Sequence, residues 1–204
     1  MEPGAGLART PNGRGAVSDG TNVERELIRR LKRGDGAAAA GLVTSYGEAL
    51  LRYLTAIVGN RSDAEDAFQE TWVRVIDRIA SFDDGLPFGP WLFRVARNQA
   101  FDLLRRRRLR TWLGGSRDDD TPGPEPSACD RHPEELMARQ LAGRLLQTMN
   151  ATQRELLALR FAAGLSYEEI AAVCRVPIGT IKSRLHRALD TLATANRRLE
   201  RRTT

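Results

Sequence analysis

The sequence predicts an all-α protein of two small helical domains joined by a flexible linker. Apolar residues recur at spacings of three and four through most of the 204 residues, and no segment alternates with period two over a useful length. Between residues 111 and 132, glycine, proline and aspartate crowd together with few apolar anchors, a composition that cannot offset its ordering entropy. We therefore expect a disordered leader (1–22), a first domain (23–110), the linker (111–132), a second domain (133–195) and a basic tail (196–204).

The first domain reads as four helices. A short apolar stripe at Leu27, Ile28 and Leu31 ends before Gly34, and a second helix with apolar residues from Leu42 to Ile57 closes at Gly59. Ser62 and Glu65 have the spacing of a capping box, which predicts a third helix reaching about Ala80. After a loop over 83–90, a long helix runs from Trp91 to about Arg108. The residues expected to face inward on the third helix are Phe68, Trp72, Val75, Ile76 and Ile79.

The second domain restarts at Pro133 and ends in a helix-turn-helix. Thr152 and Glu155 predict a further capping box, and Gly164 ends the helix that it opens. Ser166 and Glu169 cap a short amphipathic helix, which the run 174–177 ends because the residue before a proline is pushed away from helical angles. The next helix has one apolar face and one basic face, as a helix that reads the major groove needs. Its outward residues and their flanks are Thr180, Lys182, Ser183, Arg184, His186 and Arg187. An ordinary helical hairpin with a solvated basic face is the alternative.

The charge of the chain favours a polyanionic partner. The formal net charge is +6. Between Leu92 and Arg110 there are seven arginines and a single aspartate, so this one segment carries a charge equal to the net charge of the whole chain.

Composition also disfavours several classes of protein. The two cysteines, Cys129 and Cys174, lie far apart in the sequence, which argues against a disulfide framework and fits a reducing cytoplasm. Cys129 and His132 supply only two ligands, too few for a zinc site, so we expect no metal and no cofactor. No apolar run is long enough to insert into a membrane. We expect a cytoplasmic protein.

Three stretches in order resemble bacterial RNA polymerase sigma factors of the extracytoplasmic-function (ECF) type. They read DAEDAFQETWVRV (63–75), FGPWLFRVARNQAFDLLRRRR (88–108) and LALRFAAGLSYEEIAAVCRVPIGTIKSRLHRAL (157–189). The resemblance covers roughly residues 23–108 and 134–195. It implies that the first domain is sigma region 2, which binds the β′ clamp helices of core RNA polymerase and opens the promoter −10 element. The second domain would be region 4, which binds the −35 element and the β flap.

The resemblance also implies roles for particular residues of the first domain. A polar ridge would face the β′ clamp helices, although such a ridge is otherwise a plain solvated face; it consists of Asp66, Gln69, Glu70 and Arg74. The 83–90 loop would hold a flipped base of the non-template strand. Trp91 could take part in binding that base, or it could belong wholly to the hydrophobic core. The residues expected to bind and melt the −10 element are Phe88, Trp91, Arg94, Arg97, Asn98, Arg105 and Arg106. Two positions depart from the family pattern, Met149-Asn150 in place of a Leu-Pro and Arg175 in the turn of the helix-turn-helix.

The resemblance thus implies a promoter-specificity subunit with no chemistry of its own, held inactive by an anti-sigma factor that covers the polymerase-binding and DNA-binding faces. A rival interpretation is an autonomous helix-turn-helix regulator that binds its operator without polymerase. An enzyme is disfavoured because the chain has only two histidines, His132 and His186, no phosphate-binding glycine motif and no cluster of metal ligands.

Overall fold

The structure of the protein is a computed structural model that describes residues 17–113 and 141–203. Most of the predicted leader and linker, including Cys129 and His132, lie outside the described residues. The described part contains helices and no strand, which confirms the all-α prediction. The helices are α1 (Val17–Lys32), α2 (Ala37–Val58), α3 (Arg61–Arg78), α4 (Phe88–Trp112), α5 (described over 141–147), α6 (Ala151–Leu157), α7 (Tyr167–Cys174) and α8 (Ile178–Thr203).

Helices α1 to α4 form an N-terminal lobe around the buried face of α2. Tyr53 on α2 meets Phe93 on α4 edge to face, with ring centroids 5.3 Å apart, and both side chains are fully buried. Gly59 ends α2 in the left-handed conformation at φ 91°, which glycine adopts at little cost. The next helix begins earlier than predicted, because Asn60, not Ser62, caps α3 by accepting a hydrogen bond from the Asp63 amide at 2.8 Å.

Helix α1 begins at Val17, inside the segment predicted to be a leader. Its buried residues Ile28 and Leu31 are two of the three that the sequence indicated. The last residue of the helix, Lys32, anchors the loop before α4, since its ammonium group donates to the Phe82 carbonyl at 2.5 Å and pairs with Asp84 at 2.7 Å. These two contacts from Lys32 of α1 therefore hold the loop that precedes the long helix α4.

Helices α5 to α8 form a C-terminal lobe that contains the predicted helix-turn-helix. The Ser166–Glu169 capping box is present at the start of α7. Arg175 closes α7 in the left-handed conformation at φ 55°, the only such non-glycine residue in the described part of the chain. Helix α8 continues to Thr203, so the predicted tail is part of the recognition helix rather than a separate segment.

The capping box predicted at Thr152 and Glu155 is wrong. The cap of α6 is Asn150, which accepts from the Gln153 amide at 2.9 Å while the Gln153 side chain accepts from the Asn150 amide at 3.1 Å. Because the cap of α6 lies two residues earlier than predicted, the Glu155 side chain takes no part in capping and contacts the N-terminal lobe instead. A π-helical turn (Ala158–Ala162) then extends α6.

The two lobes pack against each other. Helix α6 and the π-helical turn lie on α2, and α7 lies on α4. The buried apolar residues of the two lobes form one continuous cluster. The Arg154 guanidinium donates across the boundary to the Ile57 carbonyl at 3.0 Å. We call this the closed arrangement.

Candidate nucleic-acid and polymerase interface

The recognition helix α8 separates an apolar face from a polar one, as its sequence predicts. Ile181, Leu185 and Ala188 are buried against the rest of the lobe. The polar face is exposed at Lys182, Ser183, Arg184, His186 and Arg187, whereas Thr180 is half-buried. His186 Nε2 lies 3.5 Å from the Asp190 carboxylate one turn further along the helix.

The aromatic group at the start of α4 is mostly core. Phe88 is 1% exposed and packs on Phe82 and Tyr46, with ring centroids 5.6 and 5.5 Å apart. The Phe88 ring is therefore enclosed in this arrangement, and its contact with DNA stays a prediction. Trp91 is half-buried and packs on Phe82 at 5.0 Å, so one part of its indole is core and another part faces outward.

The arginines of α4 divide into two groups. Two of them pair with residues of other helices: Arg97 pairs with Glu155 of α6, and Arg107 pairs with Asp63 at the start of α3, whereas Arg105 pairs with Asp102 within α4. The others of the predicted DNA-contacting set are half-buried at Arg94 and exposed at Asn98, Arg105 and Arg106. Sequence alone could not separate the two groups, because both kinds of arginine lie in one basic run.

A polar cluster is buried where the lobes meet. The Arg97 Nε donates to the Glu155 carboxylate at 2.5 Å, and the Glu155 side chain is 1% exposed. Burial raises the pKa of the Glu155 carboxyl, and the neighbouring Arg97 opposes that rise. Burial likewise raises the pKa of the Cys174 thiol to about 12 and that of the Tyr53 hydroxyl well above its usual range. The Tyr53 hydroxyl has no hydrogen-bond partner among the described residues.

Helix α3 presents a mixed polar and apolar face to solvent. Asp66, Gln69 and Glu70 are exposed, and Arg74 is half-buried and donates to Glu70 at 3.0 Å. Between these polar groups lie Val73 and Ile76, which are 53% and 47% exposed. The sequence prediction that Ile76 faces inward is wrong, and Val73 was not assigned to this face. Val73 lies three residues after Glu70 and seven after Asp66, and Ile76 lies seven after Gln69; this helical spacing is the signal that could have found them.

The described residues hold no cluster of side chains suited to a metal ion. Within the same part of the chain, no helix combines the length and apolar character that crossing a bilayer requires.

The fold and its exposed basic helices define a helical DNA-binding protein with one such helix in each lobe. Residues 42–110 match the family model for sigma-70 region 2, and residues 139–192 match the model for sigma-70 region 4. The ECF RNA polymerase sigma factor BldN of Streptomyces coelicolor is 33% identical over 175 residues, which cover 82% of this chain and 64% of BldN. The RNA polymerase sigma factor NccH of Alcaligenes xylosoxydans xylosoxydans is 31% identical over 177 residues, covering 82% of this chain and 91% of NccH.

Two solved structures have a similar fold. The sigma factor RpoE of Bartonella quintana, in complex with the anti-sigma factor NepR, superposes with a TM-score of 0.63 at 28% identity, covering 77% of this chain and 97% of RpoE. CnrH, in complex with the cytosolic domain of CnrY, has the same fold, with a TM-score of 0.64 at 23% identity over 84% of this chain and 96% of CnrH. The chain belongs to the ECF type of the sigma-70 family of RNA polymerase sigma factors, as its three motifs predicted.

Proposed function

We propose that this chain binds core RNA polymerase, recognises the −10 and −35 elements of a restricted set of promoters, helps to melt the DNA and starts transcription there. The observation that carries the proposal is the separation of three surfaces on one chain. A helix with an exposed basic face, α8, lies in the C-terminal lobe, a second basic helix, α4, lies in the N-terminal lobe, and α3 exposes a separate face of acidic and apolar residues. No feature of residues 17–113 and 141–203 favours an autonomous regulator.

The proposed contacts follow from exposure. The α3 face would dock on the β′ clamp helices, with Val73 and Ile76 adding apolar contact to the charged ridge. The C-terminal lobe would bind the β flap. On the DNA side, α8 would read the −35 element through its exposed basic face, and α4 would grip the −10 element through Arg94, Asn98, Arg105 and Arg106.

Promoter binding would require the closed arrangement to open. Elements that lie about 25 base pairs apart are separated by about 85 Å of duplex at 3.4 Å per step. In the closed arrangement Arg105 of α4 and Arg187 of α8 line the same cleft. Arg97, another proposed −10 contact, is paired with Glu155. Opening would release all three for DNA.

We also propose that the protein has no catalytic activity of its own, that it works in the cytoplasm and that an anti-sigma factor inhibits it. Sigma factors are a non-enzymatic class of initiation factor, and two solved relatives are bound to partner proteins named CnrY and NepR. The inhibitor would cover the polymerase-binding and DNA-binding faces. A complex that left both faces accessible to footprinting would contradict this part of the proposal.

Run-off transcription on a promoter library, with and without core polymerase, tests the function. We expect initiation at few promoters and only with core polymerase. Charge reversal at Asp66 and Glu70 should abolish it, while Glu48→Lys should not, because Glu48 is an exposed acid on α2, outside the α3 face. Tight duplex binding by the chain alone, with no stimulation of polymerase, would instead show an autonomous regulator.

A further inference from the structure

The closed arrangement creates a cleft between the lobes that neither lobe has alone. Its volume is about 890 Å³. The C-terminal half of α4 forms one wall, and the start of α6 together with the first half of α8 forms the other. Four guanidinium groups converge on it, two from each of the long basic helices: Arg105, Arg108, Arg184 and Arg187.

The described walls of the cleft carry no carboxylate. The polar groups beside the arginines are neutral, from Asn150, Thr152 and Gln153. Arg105 has a neighbour in Asp102, which lies outside the lining, and Arg187 donates to the Ser183 carbonyl at 3.3 Å. Bringing the lobes together therefore concentrates like charges at one opening, which costs free energy unless an anion enters.

We propose that the cleft binds a compact polyphosphate anion, either as a free phosphate chain or as the phosphate chain of a nucleotide, and that this anion holds the two lobes closed. Guanidinium groups bind phosphate oxygens in a bidentate geometry, and four of them match a chain of three or more phosphates. The volume lies in the range of small-ligand sites. Phe101, Leu104 and Leu156 supply an apolar wall at the side, against which a base can lie.

The consequence is a coupling between a small ligand and promoter binding. The anion contacts both lobes only while they are closed, so it stabilises the closed arrangement by its binding free energy. It also occupies Arg105, Arg184 and Arg187, which we assign to promoter DNA. The coupling is independent of the proposed polymerase contacts, and its test needs neither polymerase nor promoter.

The test is titration calorimetry of the full chain with sodium triphosphate at an ionic strength of about 0.15 M, where exposed charges are largely screened. We expect saturable binding that Arg108→Gln and Arg184→Gln each weaken about tenfold or more, since each removes a charge-assisted hydrogen bond. Arg106→Gln is the matched control, because Arg106 is an exposed arginine of α4 that does not line the cleft. It should change the affinity by less than about twofold.

A second readout tests closure. Alkylation of the Cys174 thiol, which is half-buried at the boundary between the lobes, should slow by about a hundredfold when triphosphate is present at about a hundred times its dissociation constant. ATP distinguishes the two sources of the anion: equal affinity assigns the site to the phosphate chain alone, and tighter binding of ATP assigns it to a nucleotide. The proposal is overturned if triphosphate does not bind, if Arg106→Gln weakens binding as much as Arg108→Gln does, or if bound triphosphate leaves the alkylation rate unchanged.

Discussion

Replacing Arg97 with methionine should open the interface between the lobes without unfolding either of them. The substitution keeps the length and the apolar stem of the side chain but leaves the Glu155 carboxylate, which is 1% exposed, without its cation. Removing one partner of a buried ion pair costs about 3–5 kcal/mol. Arg97 is itself 30% exposed, so the lower end, about 3 kcal/mol, applies.

A second argument sets an upper limit on this cost. A carboxyl group with an ordinary pKa of 4.5 can be neutralised at about pH 7.5 for about 4 kcal/mol, so the buried group cannot cost more than that. A shift of about 3 kcal/mol moves the equilibrium between closed and open arrangements by roughly a hundredfold.

The Cys174 thiol reports the opening. In the closed arrangement its pKa is about 12 against an ordinary 9.0, so the reactive thiolate is about a thousandfold scarcer than in a solvated thiol. With Cys129→Ser as background, Cys174 is the single thiol, and its rate of alkylation follows the open population. We expect Arg97→Met to raise that rate roughly a hundredfold. Arg94→Met, the same change one turn earlier on α4, should leave it unaltered. Equal rates in the two variants would refute the role given to the buried pair.

Four further predictions concern pH, two local backbone features and the polymerase surface. Because the pKa of Glu155 is raised in the closed arrangement, its contribution to closure is fully present below its ordinary value of 4.5 and declines as pH rises through the raised pKa; small-angle scattering should show a larger open fraction at the higher pH in the wild type and no such change in Glu155→Gln. Arg175→Gly should stabilise the protein by up to about 1.5 kcal/mol in urea denaturation, because it removes about 1–2 kcal/mol of left-handed strain against about 0.5–1 kcal/mol of added chain entropy. Asn150→Ala should cost about 1 kcal/mol in the same assay, and Thr152→Ala less than about 0.5 kcal/mol. Ile76→Lys should weaken binding to core polymerase while the melting temperature stays unchanged, since Ile76 is 47% exposed.

Opposite outcomes would count against specific assignments. A larger loss for Thr152→Ala than for Asn150→Ala would restore the capping box that the sequence predicted. A lower melting temperature in Ile76→Lys would show that this side chain belongs to the core. Destabilisation by Arg175→Gly would mean that the arginine side chain makes a contact worth more than the strain.

Local patterns of the sequence were sufficient for the helices and the helix-turn-helix, and insufficient for what meets across the lobes. The Ser166–Glu169 box is confirmed because an apolar run follows it directly and no competing cap lies nearby. At α6 two capping patterns overlap, and the choice between them depends on where Glu155 points. Glu155 points at Arg97, 58 residues earlier in the chain, and no local pattern encodes that contact.

The positions of the aromatic residues in the fold also could not be predicted from local sequence patterns. Phe88 and Trp91 are both next to the arginines in sequence, and a flipped-base pocket and a hydrophobic core use the same residue types. Only the three-dimensional packing separates the enclosed ring of Phe88 from the half-open ring of Trp91. Ile76 was misplaced for a related reason, since an apolar residue at helical spacing fits a docking face as well as a core.

The continuous course of α8 changes what its basic end is able to do. Its 26 residues make a rod about 39 Å long, in which Arg197 lies about 15 Å along the axis from Arg187. A flexible basic segment would have no fixed position relative to Arg187 and could adapt to any nearby phosphate. A continuous helix instead fixes both the distance and the rotation between Arg187 and Arg197. If Arg187 contacts one phosphate as proposed, the helix holds Arg197 at a fixed distance and angle for contact with a second.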